Sequence, residues 1–203
     1  MTLIYVLSGY LLGSIPIAWL ITKLHTGEDL RVMGSGNVGV SNVALSVARW
    51  AGLLVFLSEI CKGMIVVLVL RYLNASALQV YAAVLAAIFG TRWSVWLRFA
   101  GGRGNSVGFG AMILLSWQTF VIGAVVWILA RLILRSSFWA TRVCLISWPV
   151  IFGLLVGSWL AFIFGALVAI TYLSTHEEGT DDHLIIKEQW PSLIAFLLSP
   201  RRK

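Results

Sequence analysis

The chain has 203 residues, 60% of them hydrophobic and only 11% charged, with a formal net charge of +7 and a mean hydropathy of +0.93. Several windows reach the ~20 apolar residues that cross a bilayer, so a soluble domain is excluded, and with no alternating strands visible, helices are the default. The positive charge requires no nucleic acid, because a basic face held against anionic lipid accounts for it.

In chain order, residues 3–22 form the first apolar segment. It lacks the basic start of a signal peptide, its first positive charge being Lys23, and is expected to remain as one helix from Leu3 to Thr22, N-terminus outside. A polar stretch, 23–50, follows and contains "MGSGNVGVSN", Met33 to Asn42. The second segment, 51–70, carries Glu59 and Lys62 at i,i+3. Ionisable groups at that depth are costly; either they pair with each other or they face an anionic site nearby. Segment 78–97 leads to a second glycine stretch, Gly101-Gly102-Arg103-Gly104-Asn105-Ser106. Cys61 and Cys144 lie in apolar segments without metal-like spacing.

Two longer apolar stretches complete the chain. Segment 106–130 is interrupted at Ser116-Trp117-Gln118 and continues to Leu134. Segment 143–173 carries no formal charge; as one helix it would be ~46 Å long at ~1.5 Å per residue, against a hydrocarbon core of ~30 Å. Gly157-Ser158 offers the division. The choice between five and seven spans follows from the positive-inside bias. With seven, the stretches around 23–50, 98–105 and 131–142 and the tail share one side, which then carries most of the Lys and Arg residues; with five, Arg131, Arg135 and Arg142 cross over. The expected fold is an all-α integral membrane protein of seven transmembrane helices with glycine-rich cytoplasmic loops, N-terminus out and C-terminus in.

Both glycine stretches fall on the basic side. Glycine lets successive backbone N–H groups turn toward one point, forming an anion-binding nest, and a helix beginning after Asn42 would add its N-terminal dipole. Ser35, Asn37, Ser41 and Asn42 supply side-chain donors, and the Arg103 fork fits a phosphate. The alternative reading is two ordinary interhelical turns.

In the order and spacing of "GSIPIAWLITKL", "LRVMGSGNVGVSNVA", "EICKGM" and "VWLRFAGGRGNS", over residues 9–110, the chain resembles the bacterial acyl-phosphate:glycerol-3-phosphate acyltransferase family. The resemblance implies an enzyme of the bacterial inner membrane with its site at the cytoplasmic face. Such an enzyme transfers a fatty acyl group from acyl phosphate to the 1-hydroxyl of glycerol 3-phosphate, giving lysophosphatidic acid and phosphate for phospholipid synthesis. It implies no cofactor and no metal, and no protein nucleophile. Acyl phosphate is already activated and its leaving phosphate can take the hydroxyl proton, so positioning and preorganised donors suffice. By the same resemblance Ser35, Gly36, Asn37, Gly39, Ser41 and Asn42 cradle the acyl phosphate. Arg49 and Arg103 hold glycerol 3-phosphate, Gly101, Gly102, Gly104 and Ser106 complete the substrate-binding set, and Ser35, Arg103 and Lys62 are the catalytic candidates.

The departures are specific. The family's G-G-K-G lysine is Arg103 here. Its arginine after "SN" is replaced by Leu45, with Arg49 four residues on, which on a helix is the same face. Its glycine-histidine pair reads Gly90-Thr91, and its H-R-E-N signature reads His176-Glu177-Glu178-Gly179. Such erosion leaves a second expectation open: a non-catalytic paralogue binding acyl phosphate or phosphorylated lipid as regulator or carrier. His176 and Asp181 also match an H-x4-D dyad in which histidine would be a general base. Residues 1–175 are expected to form the transmembrane acyltransferase-like domain, and 176–203 a cytoplasmic acidic linker with a basic interfacial tail around Trp190.

Overall fold

Pro16 divides the first apolar segment. In the computed structural model, which describes residues 1–174, α1 (Thr2–Ser14) ends before Ile15 and α2 (Ile17–Thr26) restarts after Pro16. The expected single helix from Leu3 to Thr22 is therefore two, because proline lacks the N–H that would continue the ladder. The remaining helices are α3 (Val40–Ser46), α4 (Arg49–Tyr72), α5 (Ala77–Arg92), α6 (Asn105–Leu115), α7 (Trp117–Leu134), α8 (Ser137–Val156) and α9 (Trp159–Leu173). Short 3-10 turns at Leu30–Val32 and Val95–Leu97 precede the two glycine stretches. Among the described residues all regular structure is helical.

The two breaks expected in the longer segments occur where the residues change. Ser116 is extended, and its hydroxyl accepts from the Thr119 amide at the start of α7; Gly157, at φ 67°, ends α8. Both devices satisfy helix ends that lipid cannot hydrate. The stretch expected as a loop at 131–142 is only a short turn. Arg131 is in the last turn of α7, Arg135 caps it in the left-handed region, and Arg142 lies within α8.

By length and composition, five helical stretches can cross a membrane: Thr2–Thr26, Arg49–Tyr72, Ala77–Leu97, Trp117–Leu134 and Phe138–Val156. The apolar helices α6 and α9 are shorter. Packing rests on small residues, as lipid supplies no hydrophobic drive between helices. Gly9 and Gly13 of α1 lie directly against the Ala83 and Ala87 backbone of α5, and Gly63 of α4 and Gly110 of α6 make the reciprocal approach. A core of Val67, Ala83, Ile88, Val107, Phe152 and Val168 joins α4, α5, α6, α8 and α9. Tyr81 stacks on Phe164 with ring centroids 4.8 Å apart. A second, smaller core (Leu30, Val38, Val43, Ala51, Val55, Leu97) underlies both glycine stretches.

Candidate phosphate-binding site

The first loop is built from the inside. Asp29 ends the approach from α2: its carboxylate accepts from the Trp19 indole, the Arg31 amide and the Arg31 guanidinium, the last at 2.6 Å. The guanidinium bond, and after it the bond from the Arg31 amide, holds the Asp29 carboxyl well below the usual carboxylate range. The chain then turns tightly, the Gly36 amide donating to the Met33 carbonyl at 2.8 Å with Gly36 at φ 71°. Beneath the turn sits Asn42, fully buried. Its amide nitrogen donates to the carbonyls of Asn37 (2.9 Å) and Met33 (3.0 Å), and its oxygen accepts from the Ser46 hydroxyl.

The second loop is tied to the end of α5. Gly101 and Gly102 donate their amides to the Arg92 and Thr91 carbonyls. The Thr91 hydroxyl donates to the Gly13 carbonyl and Ser94 to the Ser14 carbonyl, which fastens the loop to the end of α1. Arg98 and Phe99 are successive non-glycine residues at positive φ, 55° and 65°. Strain of that kind, ~1–3 kcal/mol per residue, persists only where surroundings enforce it and clusters at ligand clamps. Gly104 begins α6 without a side-chain cap, so that helix end presents its backbone donors.

The loops meet. Gly102 packs directly on the Val38 carbonyl, and a Cβ placed on it would also come within 3.9 Å of the Gly39 Cα. The structure thus brings Val38 and Gly39 to Gly102, with Arg103 half-buried and Ser35 half-buried beside its turn, its hydroxyl accepting from the Asn37 backbone amide at 3.4 Å. Ser41 is exposed on the first turn of α3, and Ser106 is half-buried in the first turn of α6.

Three expectations change. The amides of Gly36, Gly39, Gly101 and Gly102 do not converge outward: each closes a turn or ties its loop to α5. These glycines shape the loops, leaving donation to side chains and to the start of α6. Asn42 likewise spends its amide on the loop above it. Arg49 does not share a helix face with Leu45, because α3 ends at Ser46, Ala48 is extended (φ −164°), and Arg49 opens α4.

Lys62 is buried in α4. Its ammonium donates to Glu59 at 2.7 Å and to the carbonyls of Ile15 (2.5 Å) and Gly13 (3.4 Å). It therefore pairs with Glu59, and it also caps the carbonyls freed where Pro16 interrupts the first segment. The other Glu59 oxygen is buried without a hydrogen-bond partner among the described residues. Glu59 lines a cavity of about 10 Å³ together with Ser14, Thr91, Ser94, Gly101 and Gly102. The fastening of loop two through Thr91, Ser94 and Ser14 was not anticipated from sequence; Pro16 was the available signal. His176 to Gly179 and Asp181 lie outside the described residues.

Two strained or tightly turned glycine loops, joined at one end of an apolar helical scaffold, define the class: a polytopic helical membrane protein with a polar site at one end of its helices. The family profile of glycerol-3-phosphate acyltransferase matches residues 3–184. A glycerol-3-phosphate acyltransferase of Desulforamulus reducens is 32% identical over 83% of this chain and 84% of its own length. Glycerol-3-phosphate acyltransferase 4 of Dehalococcoides mccartyi is 36% identical over 82% and 85%. The crystal structure of PlsY (YgiH), an integral membrane glycerol 3-phosphate acyltransferase, in its glycerol 3-phosphate form superposes with a TM-score of 0.79 at 28% identity, covering 98% of this chain and 99% of that one. Its lysophosphatidic acid form gives 0.76 at 25% identity, with the same coverage. The chain belongs to the glycerol-3-phosphate acyltransferase family.

Proposed function

We propose that this protein transfers a fatty acyl group from acyl phosphate to the 1-hydroxyl of glycerol 3-phosphate at the cytoplasmic face of a bacterial inner membrane. The acceptor oxygen forms a bond to the acyl carbonyl carbon, the bond from that carbon to the phosphate oxygen breaks, and the hydroxyl proton passes to the departing phosphate. The products are lysophosphatidic acid and inorganic phosphate. The contact of Gly102 with Val38 carries this reading. It joins the two loops, so that two phosphate-bearing substrates can be held side by side, and proximity is most of what an activated donor requires.

In this mechanism the Ser35 hydroxyl, the Asn37 side-chain amide and the Ser41 hydroxyl hold the acyl phosphate, on a loop whose shape Gly36, Gly39 and Asn42 maintain. Arg103 binds the phosphate of glycerol 3-phosphate, with the Ser106 turn following it in α6 and Gly101, Gly102 and Gly104 setting its approach; Arg49, which opens α4, is the second cation assigned to the same phosphate. Lys62 acts from below, holding the α1–α2 break against which loop two is fastened. Charge-assisted donors fixed before substrate arrives stabilise the negative charge that develops as phosphate departs. The chain crosses the membrane seven times, α1–α2, α4, α5, α6, α7, α8 and α9 being the spans, with its N-terminus outside and its C-terminus inside.

Turnover by purified protein tests the reaction. Hexadecanoyl phosphate with glycerol 3-phosphate should give lysophosphatidic acid, while hexadecanoyl-CoA should give none. Turnover of the thioester alone would replace the donor, and no turnover of either with retained acyl-phosphate affinity would make the protein a binder.

A further inference from the structure

Gly104, the residue after Arg103, is fastened to a helix distant in the chain. Tyr172, in the last turn of α9, is buried, and its hydroxyl donates to the Gly104 carbonyl at 3.0 Å. The same carbonyl accepts the Gly108 amide at 3.2 Å, the first helical bond of α6. The fit depends on Gly108. A Cβ there would run into the Tyr172 hydroxyl oxygen and come within 3.2 Å of the ring carbon that bears it. Gly104 itself, at φ 77°, turns the chain from the second loop into α6. It rests on Ile88 of α5, whose carbonyl a Cβ on Gly104 would meet at 3.1 Å.

The Tyr172 ring belongs to the apolar core, where a buried hydroxyl carries a desolvation cost that its hydrogen bond only offsets. Phenylalanine would fill the same space without that cost, and the Gly104 carbonyl would keep the Gly108 amide. What the hydroxyl adds is direction. Arg103 is held on both sides: before it, Gly101 and Gly102 donate to carbonyls at the end of α5; after it, Gly104 is tied to α9. Arg103 and Tyr172 also line one apolar cavity of about 480 Å³ enclosed with α6, α7 and α8. A guanidinium fork grips a phosphate only over a narrow range of orientations, so a small rotation of its turn weakens the grip. We propose that Tyr172 is a positioning residue for the acyl transfer: through the Gly104 carbonyl it sets the direction from which Arg103 meets glycerol 3-phosphate. The proposal rests on the acyl-transfer reading above and adds to it a residue of α9 that acts without touching either substrate.

A double-mutant cycle tests this, with wild type, Tyr172→Phe, Arg103→Ala and the combined variant. Tyr172→Phe should raise the KM for glycerol 3-phosphate about tenfold and leave that for hexadecanoyl phosphate within about twofold. Its unfolding midpoint should fall by less than about 4 °C. In the Arg103→Ala background the same change should alter kcat/KM by less than about twofold, because nothing is left to position. An equal loss in both backgrounds, or a wild-type KM for glycerol 3-phosphate in Tyr172→Phe, overturns the proposal. Gly108→Ala approaches the contact from its other side. Its methyl displaces the hydroxyl, so the KM for glycerol 3-phosphate should rise as in Tyr172→Phe, and adding Tyr172→Phe should raise it no further; a further rise counts against the proposal. Isothermal titration with glycerol 3-phosphate reads the same cycle without turnover. Coupling seen by titration in a wild type that transfers no acyl group would remove the reaction and keep the positioning. A costly Arg103→Ala with a silent Tyr172→Phe removes the positioning alone, and a silent Arg103→Ala, or a wild type that binds no glycerol 3-phosphate, removes both.

Discussion

Arg103, the residue proposed to bind glycerol 3-phosphate, follows Gly102, which approaches the first loop, and precedes the start of α6, which has no side-chain cap. A charge-assisted hydrogen bond contributes ~1.5–3 kcal/mol, so Arg103→Ala should lower kcat/KM roughly 10- to 150-fold. Arg103→Lys should keep a good part of the activity, because a lysine retains the charge though it loses the fork. Steady-state kinetics with both variants checks this, and a silent Arg103→Ala would remove the residue from the site. Gly36 raises a different issue, since its φ of 71° is one that alanine adopts at a cost. Its added methyl would also meet the Arg31 carbonyl at 3.0 Å. Gly36→Ala should weaken acyl-phosphate binding at least tenfold in folded protein, measurable by inhibition of turnover or by direct titration.

Asp29 gives the first loop a pH dependence of known sign. Its folded pKa lies below that of an unfolded carboxyl, ~3.9, chiefly through the Arg31 guanidinium. The contribution to stability is then fully present above about pH 4 and is lost as pH falls below it. The thermal midpoint of wild type in detergent should fall more steeply between pH 4 and pH 2 than that of Asp29→Asn, and parallel curves would show that this bond does not support the fold.

At the scale of elements, the α1–α2 break and the α4 ion pair form one device. Pro16 frees carbonyls inside an apolar layer, and Lys62 reaches across from α4 to accept that duty while neutralised by Glu59. Both side chains are buried, at 4% and 10% exposure. Removing one partner alone leaves a buried charge, a loss on the order of 3–5 kcal/mol. Lys62→Met should therefore lower the unfolding midpoint sharply, and Lys62→Met combined with Glu59→Leu should recover part of the loss. A Lys62→Met protein with wild-type stability but no turnover would make Lys62 a participant in the chemistry instead of a support.

Across the whole molecule, the short turn between α7 and α8 decides topology. Arg131, Arg135 and Arg142 surround it, and a cationic turn favours the cytoplasmic side. A cysteine at Ser136, in protein lacking Cys61 and Cys144, should react with an impermeant thiol reagent only in inverted vesicles. Labelling from the outside would reduce the count of spans to five.

What the sequence determined by itself was local and compositional. Apolar runs bounded by Ser116 and by Gly157-Ser158 place helix ends correctly, because a helix end in lipid must bring its own hydrogen-bond partners and few residue types can supply them. The two glycine blocks identify the loops, because Gly34, Gly36 and Gly104 take a positive φ and the close approach of Gly102 to Val38 leaves no room for a Cβ. The tertiary structure alone decided which groups those loops have left to offer. Asn42 looks in sequence like a ligand donor, yet it is consumed by the turn above it, since a buried amide must satisfy its hydrogen bonds with whatever backbone lies nearest. Arg49 looks like a one-turn substitute for a residue at Leu45, yet an extended Ala48 separates their helices. The cavity between α6, α7 and α8 left no trace in the chain, because its lining residues are ordinary apolar side chains far apart in sequence. Only the packing of those helices determines that they enclose a space and do not fill it.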